Sequence, residues 1–557
     1  MNIAKKKSDP LRIFISGGAG TGKSHLISCI YQMALRKLQT IGDNPDDVHV
    51  LLTAPTGTAA HNISGVTLHS AFLLPLGQTK SYIKLSDDKR NALRSKASKI
   101  RLLIIDEISM VGSELLLQIH YRLCEITGIN KPFGGISVLA FGDLFQLPPV
   151  MQQFVFKPSK DPLSRMYGNL WDEFSLYELT EIMRQKDDYK FAELLNRIRN
   201  ATFTSEDIEV LKGRDTTIHP LEHPIDCLHV YSTNAKVDQH NTKMLSTSKE
   251  PMEILKAIDK KPHDLKNINP KNDPRFTGGL PDEITVAVGA KIMLTRNVDL
   301  SDGLVNGAQG TIKMIIKRRN SSSTISNVVA LLVQFDDANT GSNARKLSRF
   351  PVENKQFSSA TPIARSEISF TLSSKNKGLK MSRLQFPIKL AWACTIHKVQ
   401  GITVNQIVVS FQNTFFDGQA YVALSRARTL TGLYLEHFEE KKIKANKSVL
   451  KEMDRLRGKC VTDRFFTFFK EDPTEFLISV INARSFLLHE KDILLDPCHS
   501  NSDVIVITET WLTDNIKTTS LEHFKTHNIY RVDKPGNKTC RTAGRWHSYY
   551  GKTITFQ

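Results

Sequence analysis

Apolar residues gather in short runs at 11–15, 48–52, 102–105 and 137–141, each followed by a turn or polar motif and then mostly by helix-like sequence. A run that short, apolar at consecutive positions rather than at every second one, suits a strand buried on both faces. Strands separated by helices pair in parallel. The pattern therefore predicts an α/β fold built on a parallel sheet. Polar stretches without periodicity at 73–99, 259–277 and 338–380 predict insertions or loops laid over that scaffold, and the Ser-rich patch 320–326 a surface turn. Apolar alternation returns at 388–392 and 407–411, which predicts a second α/β unit that resumes after an inserted subdomain.

A chain of 557 residues exceeds what one hydrophobic core organises. The expected division is a first domain at 1–190 with an insertion at about 73–99, and a second at 191–440 with an inserted subdomain at about 315–386. A Lys-rich linker at 441–471 and a separate, incomplete α/β module at 472–557 follow. Hydrophobic residues at 40% and charged residues at 24% exclude a wholly disordered or fibrous chain. No apolar run approaches the roughly 18 residues of a membrane span, the richest candidate (465–488) being cut by Lys470, Glu471 and Asp472. The apolar stretch after Lys5, Lys6 and Lys7 is too short for a secretory signal. Seven scattered cysteines without a C-x-x-C pair point to reduced intracellular thiols rather than a zinc cluster or disulfide framework. Lys and Arg number 75 against 57 Asp and Glu, a net charge of +18, which puts a polyanion, nucleic acid first, among the expected partners.

Chemistry enters with Gly17-Gly18-Ala19-Gly20-Thr21-Gly22-Lys23-Ser24, a G-x-x-x-x-G-K-S octapeptide between the first apolar run and a helix-like segment. Glycines let backbone amides approach phosphates, and the following helix N-terminus favours their charge. Lys23 reaches the outer phosphate oxygens, and Ser24 ligates magnesium. The apolar run 102–105 ends in Asp106 and Glu107, at the sheet edge where a phosphate loop lies. Asp106 is the expected second magnesium ligand, and Glu107 the group that orients or deprotonates an attacking water. The expected substrate is ATP with Mg2+.

Three further motifs complete the set: Ala54-Pro55-Thr56-Gly57-Thr58-Ala59-Ala60, Phe141-Gly142-Asp143-Leu144-Phe145-Gln146-Leu147-Pro148-Pro149, and Tyr421-Val422-Ala423-Leu424-Ser425-Arg426-Ala427. With them the chain resembles the Pif-type (petite integration frequency) DNA helicases, superfamily-one motors related to RecD, over roughly residues 10–438. The resemblance implies two RecA-like P-loop domains with small inserted subdomains, and ATP-driven 5′-to-3′ translocation on single-stranded or forked DNA by what is expected to be a monomer. It implies Gln146 as sensor of the γ-phosphate, and Arg184 and Arg426 as arginine fingers reaching across a cleft. It assigns strand contacts to Thr56, Thr67, His69 and Phe72 on the first domain, and to Thr233, Asn234, Asn306, Gly307, His397, Lys398 and Gln400 on the second. Phe72 either stacks on a base or joins the core beside Leu73 and Leu74. His397 is either a strand contact or a buried histidine with its own partner. Roles in DNA repair, recombination or telomere maintenance, in nucleus or mitochondrion, are what such a family implies.

Two departures stand out. Family members place an adenine-reading glutamine some tens of residues before the phosphate loop, and here 16 residues precede Gly17, so a shortened N-terminus is expected. The tail, through 479–485 and 503–512, resembles the start of a retroelement endonuclease of the endonuclease/exonuclease/phosphatase class, with Asn482 and Glu509 as its metal-holding residues. With 48 residues after Glu509, the remaining carboxylates and histidine of such a site have no place, and no nuclease activity is expected. The competing expectations are a Helitron-like mobile-element helicase and a truncated DNA-binding remnant that no longer turns over ATP.

Overall fold

The computed structural model describes residues 10–458 apart from 40–42, 45–46, 76–81, 160–167, 185–187, 220–221, 225–226, 261–276, 278, 318–327, 349–356, 372–379 and 414, together with four strands of the tail. The chain forms two compact units, Met1–Lys459 and Cys460–Gln557.

The first sheet of the larger unit contains β1 (Arg12–Gly17), β2 (Val50–Ala54), β3 (Val66–Thr67), β4 (Leu102–Ile105), β5 (Ser137–Gly142) and β6 (Ser175–Leu179), in the order β3-β2-β4-β5-β1-β6. Every pair is parallel. The reason for apolar runs without alternation is visible in β4. Leu102 and Ile104 enter a core with Ile15, Ile27 and Leu139, while Leu103 and Ile105 enter another, on the opposite face, with Phe14, Leu117 and Val138. β3, with two residues, and β6, an edge strand whose Tyr177 is half exposed, lack that signature and were not foreseen. Since the strands are parallel, the segments after β1, β4, β5 and β6 all emerge at one edge.

A second parallel sheet orders its strands Ala393–Thr395, Leu228–Tyr231, Ile407–Ser410, Leu433–Glu436. Helix Tyr189–Asn200 opens this domain, its Phe191, Leu194, Leu195 and Ile198 packing with Val230, Ile407 and Leu433. Between strands 228–231 and 393–395 lies an insertion wider than the expected 315–386. Its sheets run from Glu253 to Leu390 and include a five-stranded antiparallel sheet, around a core of Leu255, Ile292, Leu331, Val333 and Phe386. The expected boundary fell short because the early strands, Glu253–Lys256, Glu283–Val286 and Lys291–Leu294, hold four residues each, too few to show a period. For the same reason the apolar stretch at 388–392 was misplaced, since Ile388–Leu390 pairs with Lys291–Leu294 in the insertion. Of the polar stretch 73–99, residues Asp87–Ala97 form a helix against helix Ser113–Thr127, where Arg94 Nε donates to the Glu125 carbonyl at 2.9 Å. The Ser-rich patch 320–326 lies outside the described residues.

The expected linker at 441–471 is corrected over its described part, 441–458, while 459–471 lie outside the described residues. Residues Lys447–Arg457 form a helix capped by Asn446, whose side chain accepts from Ser448 N and Val449 N. Val449, Met453 and Leu456, spaced for one helix face, enter the core of the first domain beside Trp171 and Phe174. Trp171 Nε1 donates to Glu452 Oε1 at 2.9 Å, and Arg457 holds Glu178 through Nε and Nη2. Five lysines between 441 and 451 hid this stripe from a reading by composition.

In the smaller unit, Ile478–Asn482 and Val504–Thr508 pair in parallel with Asn482 opposite Thr508, and Ile554–Phe556 and Ile529–Tyr530 extend the sheet antiparallel. Glu509 lies outside the described residues.

The two parallel-sheet domains are joined by a buried ion pair. Arg199, from the helix that opens the second domain, donates Nη2 to Asp143 Oδ1 at 2.7 Å and Nε to Oδ2 at 2.9 Å, just past β5. Asp143 is fully buried, and the guanidinium lies 4.4 Å from the centre of the Phe145 ring. Burial opposes the charge on Arg199, but attraction by Asp143 outweighs it and holds the guanidinium above its ordinary value. Removing one partner strands a buried charge, so Arg199→Ala is expected to cost about 3–5 kcal/mol, most of it recovered when Asp143 is also made apolar. Met453→Ala, which opens a cavity under Trp171, is expected to cost about 2–5 kcal/mol. Denaturant unfolding checks both, and a loss below about 1 kcal/mol would contradict the contacts described.

Candidate functional site

At the edge where β1, β4, β5 and β6 emerge, the octapeptide 17–24 turns from strand into helix Lys23–Leu38. Gly20 sits at φ 83°, and a Cβ there would lie 2.3 Å from the Arg184 Cβ, so strain and crowding both require glycine. The crowding arises because the chain after β6 lies on the loop, with Met183 N and Arg184 N donating to the Gly20 carbonyl at 2.8 and 3.1 Å. Lys23 Nζ donates to the carbonyls of Gly17 and Gly18 at 2.7 and 2.8 Å. From the second domain, the buried Tyr421 hydroxyl accepts from Ala19 N at 2.8 Å.

Asp106 and Glu107 end β4 as expected. Asp106 is buried, and its Oδ1 accepts from Glu107 N at 2.8 Å. Glu107 stands in the left-handed region at φ 50°, an uncommon conformation for a non-glycine residue, and one that clusters where side chains must be aimed. Gln146 is buried one turn past Asp143, its N–H donating to the Asp143 carbonyl at 3.0 Å.

The two arginines come from different walls. Arg426 arrives from the second domain, buried, with Nε donating to the Val422 carbonyl at 2.8 Å and Nη2 to Ser425 Oγ at 2.8 Å. Arg184 follows β6 of the first domain, so the expectation that both reach across the cleft is corrected. It stands beside the phosphate loop and meets the second domain through Nη1 on the Ser425 carbonyl at 3.2 Å. The end of a short edge strand gave no sign of which domain would carry it.

The electrostatics of these groups share one pattern. Burial pushes Lys23 and Arg184 down, and burial together with Arg184 brings Arg426 to about 10. Burial and the neighbouring Glu107 push Asp106 up to about 7, against the Glu107 amide and Lys23. Each charge is therefore destabilised where it stands, which is the condition for a polyanion to bind the cations and a cation to bind the acid. Hard oxygen donors suit magnesium, and Ser24 and Asp106 line the same cavity.

That cavity, of about 980 Å³, also takes in most of the residues assigned to the strand: Thr56, Thr67, His69, Asn306, Gly307, His397, Lys398 and Gln400. Thr56 and Thr67 spend their hydroxyls as helix caps, on Ala59 N and Ser70 N. Asn306 and Gly307 belong to the insertion rather than to the second parallel sheet, and Asn306 joins the domains by accepting from Thr58 Oγ1 at 2.6 Å. Burial pushes His69, His397 and Lys398 down. Thr233 and Asn234 lie exposed at the start of helix Asn234–Ser246, outside this cavity. Phe72 is corrected to core. It is fully buried, and its carbonyl accepts from Arg122 Nε at 2.9 Å, so no base can stack on it. Reading by motif missed Arg199 and Tyr421 as partners of the first domain. Tyr421 was present in a quoted motif, whereas Arg199 has no local signature.

The PIF1-like helicase family model matches residues 2–209, and the model for the 2B domain of DNA helicase Pif1 matches 279–315, inside the insertion. The ATP-dependent DNA helicase PIF1 of Xenopus laevis is 32% identical over 441 residues, covering 79% of this chain and 61% of its own length. That of Candida albicans is 30% identical over 521 residues, covering 80% of this chain and 55% of its own length. The chain thus spans little more than half the length of these curated relatives. Among solved structures, Pif1 helicase from Candida albicans superposes with a TM-score of 0.58 at 28% identity, covering 80% of this chain and 95% of the other. Pif1 helicase from Bacteroides, in complex with ADP-AlF3 and single-stranded DNA, gives 0.59 at 29%, covering 81% and 94%. From the glycine-rich loop through the inserted sheet, this chain is similar to the PIF1-like helicases.

Proposed function

We propose that this chain is an ATP-dependent DNA helicase motor, which hydrolyses ATP to translocate 5′-to-3′ along single-stranded DNA and to open forked duplexes. The observation that carries the reading is that one cavity joins the phosphate loop and acid pair of the first domain to Arg426 of the second and to strand-side residues from both domains and the insertion. A ligand that bridges the walls of such a cavity changes their spacing, and a strand held by both walls is then moved. Kinship with helicases solved on single-stranded and forked DNA supports the same reading. Lys23, Arg184 and Arg426 supply the charge that offsets the γ-phosphate in the transition state. Glu107 holds the attacking water, and Gln146 reports on the outer phosphate. Magnesium, held by Ser24 and Asp106, would neutralise phosphate charge when bound. Strand contacts made by hydroxyls, amides and Lys398 suit phosphate and sugar rather than base edges, so binding is expected to tolerate sequence. Repair, recombination or telomere maintenance, in nucleus or mitochondrion, is the setting that the kinship suggests.

Lys23→Ala is expected to abolish DNA-stimulated ATP hydrolysis while binding of a fluorescent oligothymidylate persists. Turnover at the unmodified rate would remove the octapeptide from the chemistry. Arg426→Ala is expected to retain nucleotide binding and slow hydrolysis by about 10³- to 10⁵-fold, the range of arginine fingers in phosphoryl transfer. Single-turnover measurements separate the two steps, and an unchanged chemical rate would place Arg426 outside the reaction.

A further inference from the structure

Gln400 stands where the strand side of the cavity meets its phosphate side. The sequence motif assigns it to DNA, but its amide lies on the hydrolytic pair, with Nε2 at 3.3 Å from Glu107 Oε2 and 3.4 Å from Gln146 Oε1. Both acceptors belong to the first domain, and Gln400 follows strand Ala393–Thr395 of the second. Among the described residues its Oε1 is buried without a partner, so the side chain is held by those two acceptors alone.

The segment bearing Gln400 is a single short turn, Ile396–Val399, with Ile396 and Val399 embedded in the second core and Gly401 at φ 85° reversing the chain. Two residues before Gln400, Lys398 Nζ donates to Asn306 Oδ1 at 2.9 Å. The Asn306 carbonyl accepts from Thr58 Oγ1, and Asn306 N donates to Asn297 Oδ1 at 2.9 Å. Thr58, Asn297, Asn306 and Lys398 all line the strand side of the cavity. A continuous polar chain therefore runs from the loop at 56–58 through Asn306 and Lys398, across one anchored turn, to the residue that touches Glu107 and Gln146.

We infer that Gln400 is a positioning residue, through which a bound strand sets the placement of Glu107 and Gln146 and so stimulates hydrolysis. The physical basis is that a turn anchored at both ends by buried side chains moves as one piece. A phosphate that takes Lys398 or Asn306 as its partner shifts Lys398, and with it the amide two residues on. The inference deepens the helicase reading and rests on it. It differs from a strand contact in what it predicts, since a contact changes affinity and a coupler changes the rate at saturation.

The test is steady-state ATP hydrolysis by the full chain titrated with oligothymidylate, for the unmodified protein, Gln400→Ala, Asn306→Ala and the double variant, with thermal midpoints measured alongside. Gln400→Ala is expected to lower the strand-saturated kcat about 10-fold, while half-saturating oligothymidylate and the KM for ATP move less than about 2-fold, a coupling in the ordinary range between linked sites. The double variant is expected to fall no further than the lower single one, because both lie on one chain of contacts. If Gln400→Ala unfolds, Gln400→Asn, which keeps the amide but withdraws it by one methylene, is expected to give the same loss at an unchanged midpoint. Weaker half-saturation with unchanged kcat would make Gln400 a strand contact and overturn the inference, as would independent, multiplying losses in the double variant. Equal stimulation of the unmodified protein and Gln400→Ala would overturn the inference alone. No stimulation of the unmodified protein would overturn the helicase reading, and the inference with it.

Discussion

The buried pair between Asp143 and Arg199 is the constraint around which the larger unit is arranged. Asp143 follows the central strand β5, three residues before Gln146, and Arg199 belongs to the first helix of the second core. A charge taken out of water at either position is costly alone, so the two domains must meet where these side chains meet. That contact lies behind the phosphate loop. It leaves the Tyr421 hydroxyl on Ala19 N, Arg184 on the Ser425 carbonyl and Gln400 on Glu107, three further links that all cross the same boundary. The front of the cleft is thereby open to a nucleotide while its back is held.

What fills that cleft is dictated by imbalance. Lys23, Arg184 and Arg426 are each held below their ordinary values by burial, and Asp106 above its own. A site tuned for stability would pair these groups off, as Asp143 and Arg199 are paired. Instead the cations line one cavity with an acid whose second oxygen, among the described residues, is not committed to the backbone. Such an arrangement suits a polyanion, whose charge would offset that of the buried cations. The insertion extends the same logic to the strand side, since Asn306 and Gly307 come from its sheet yet stand against the loop at 56–58.

How much of this was legible beforehand follows from the range of the interactions. The glycine-rich octapeptide, the apolar run ending in Asp106 and Glu107, and the Tyr-Val-Ala-Leu-Ser-Arg motif are local patterns, because each performs a task that adjacent residues must share. Strands β1, β2, β4 and β5 were legible because burial on both faces leaves apolar residues at consecutive positions. The two-residue β3 and the half-exposed β6 were not, and the four-residue strands of the insertion were too short to carry a period. Helix Lys447–Arg457 shows the opposite failure, a stripe of the right spacing hidden in lysine-rich sequence.

The sequence by itself determined the chemistry of this chain: a phosphate loop, a pair of acids, a glutamine and two arginines, with enough positive charge for a polyanion partner. Only the tertiary structure decided who stands opposite whom. It set Arg184 beside the phosphate loop instead of across from it, buried Phe72 in the core, gave Asn306 to the insertion, and turned Gln400 from the strand towards Glu107. The physical reason is that a motif specifies which atoms a side chain offers, whereas its neighbours are set by packing between segments tens to hundreds of residues apart. Arg199 and Asp143 are 56 positions apart, and Gln400 and Glu107 are 293. No local pattern encodes such a pairing, and burial in a shared core creates it.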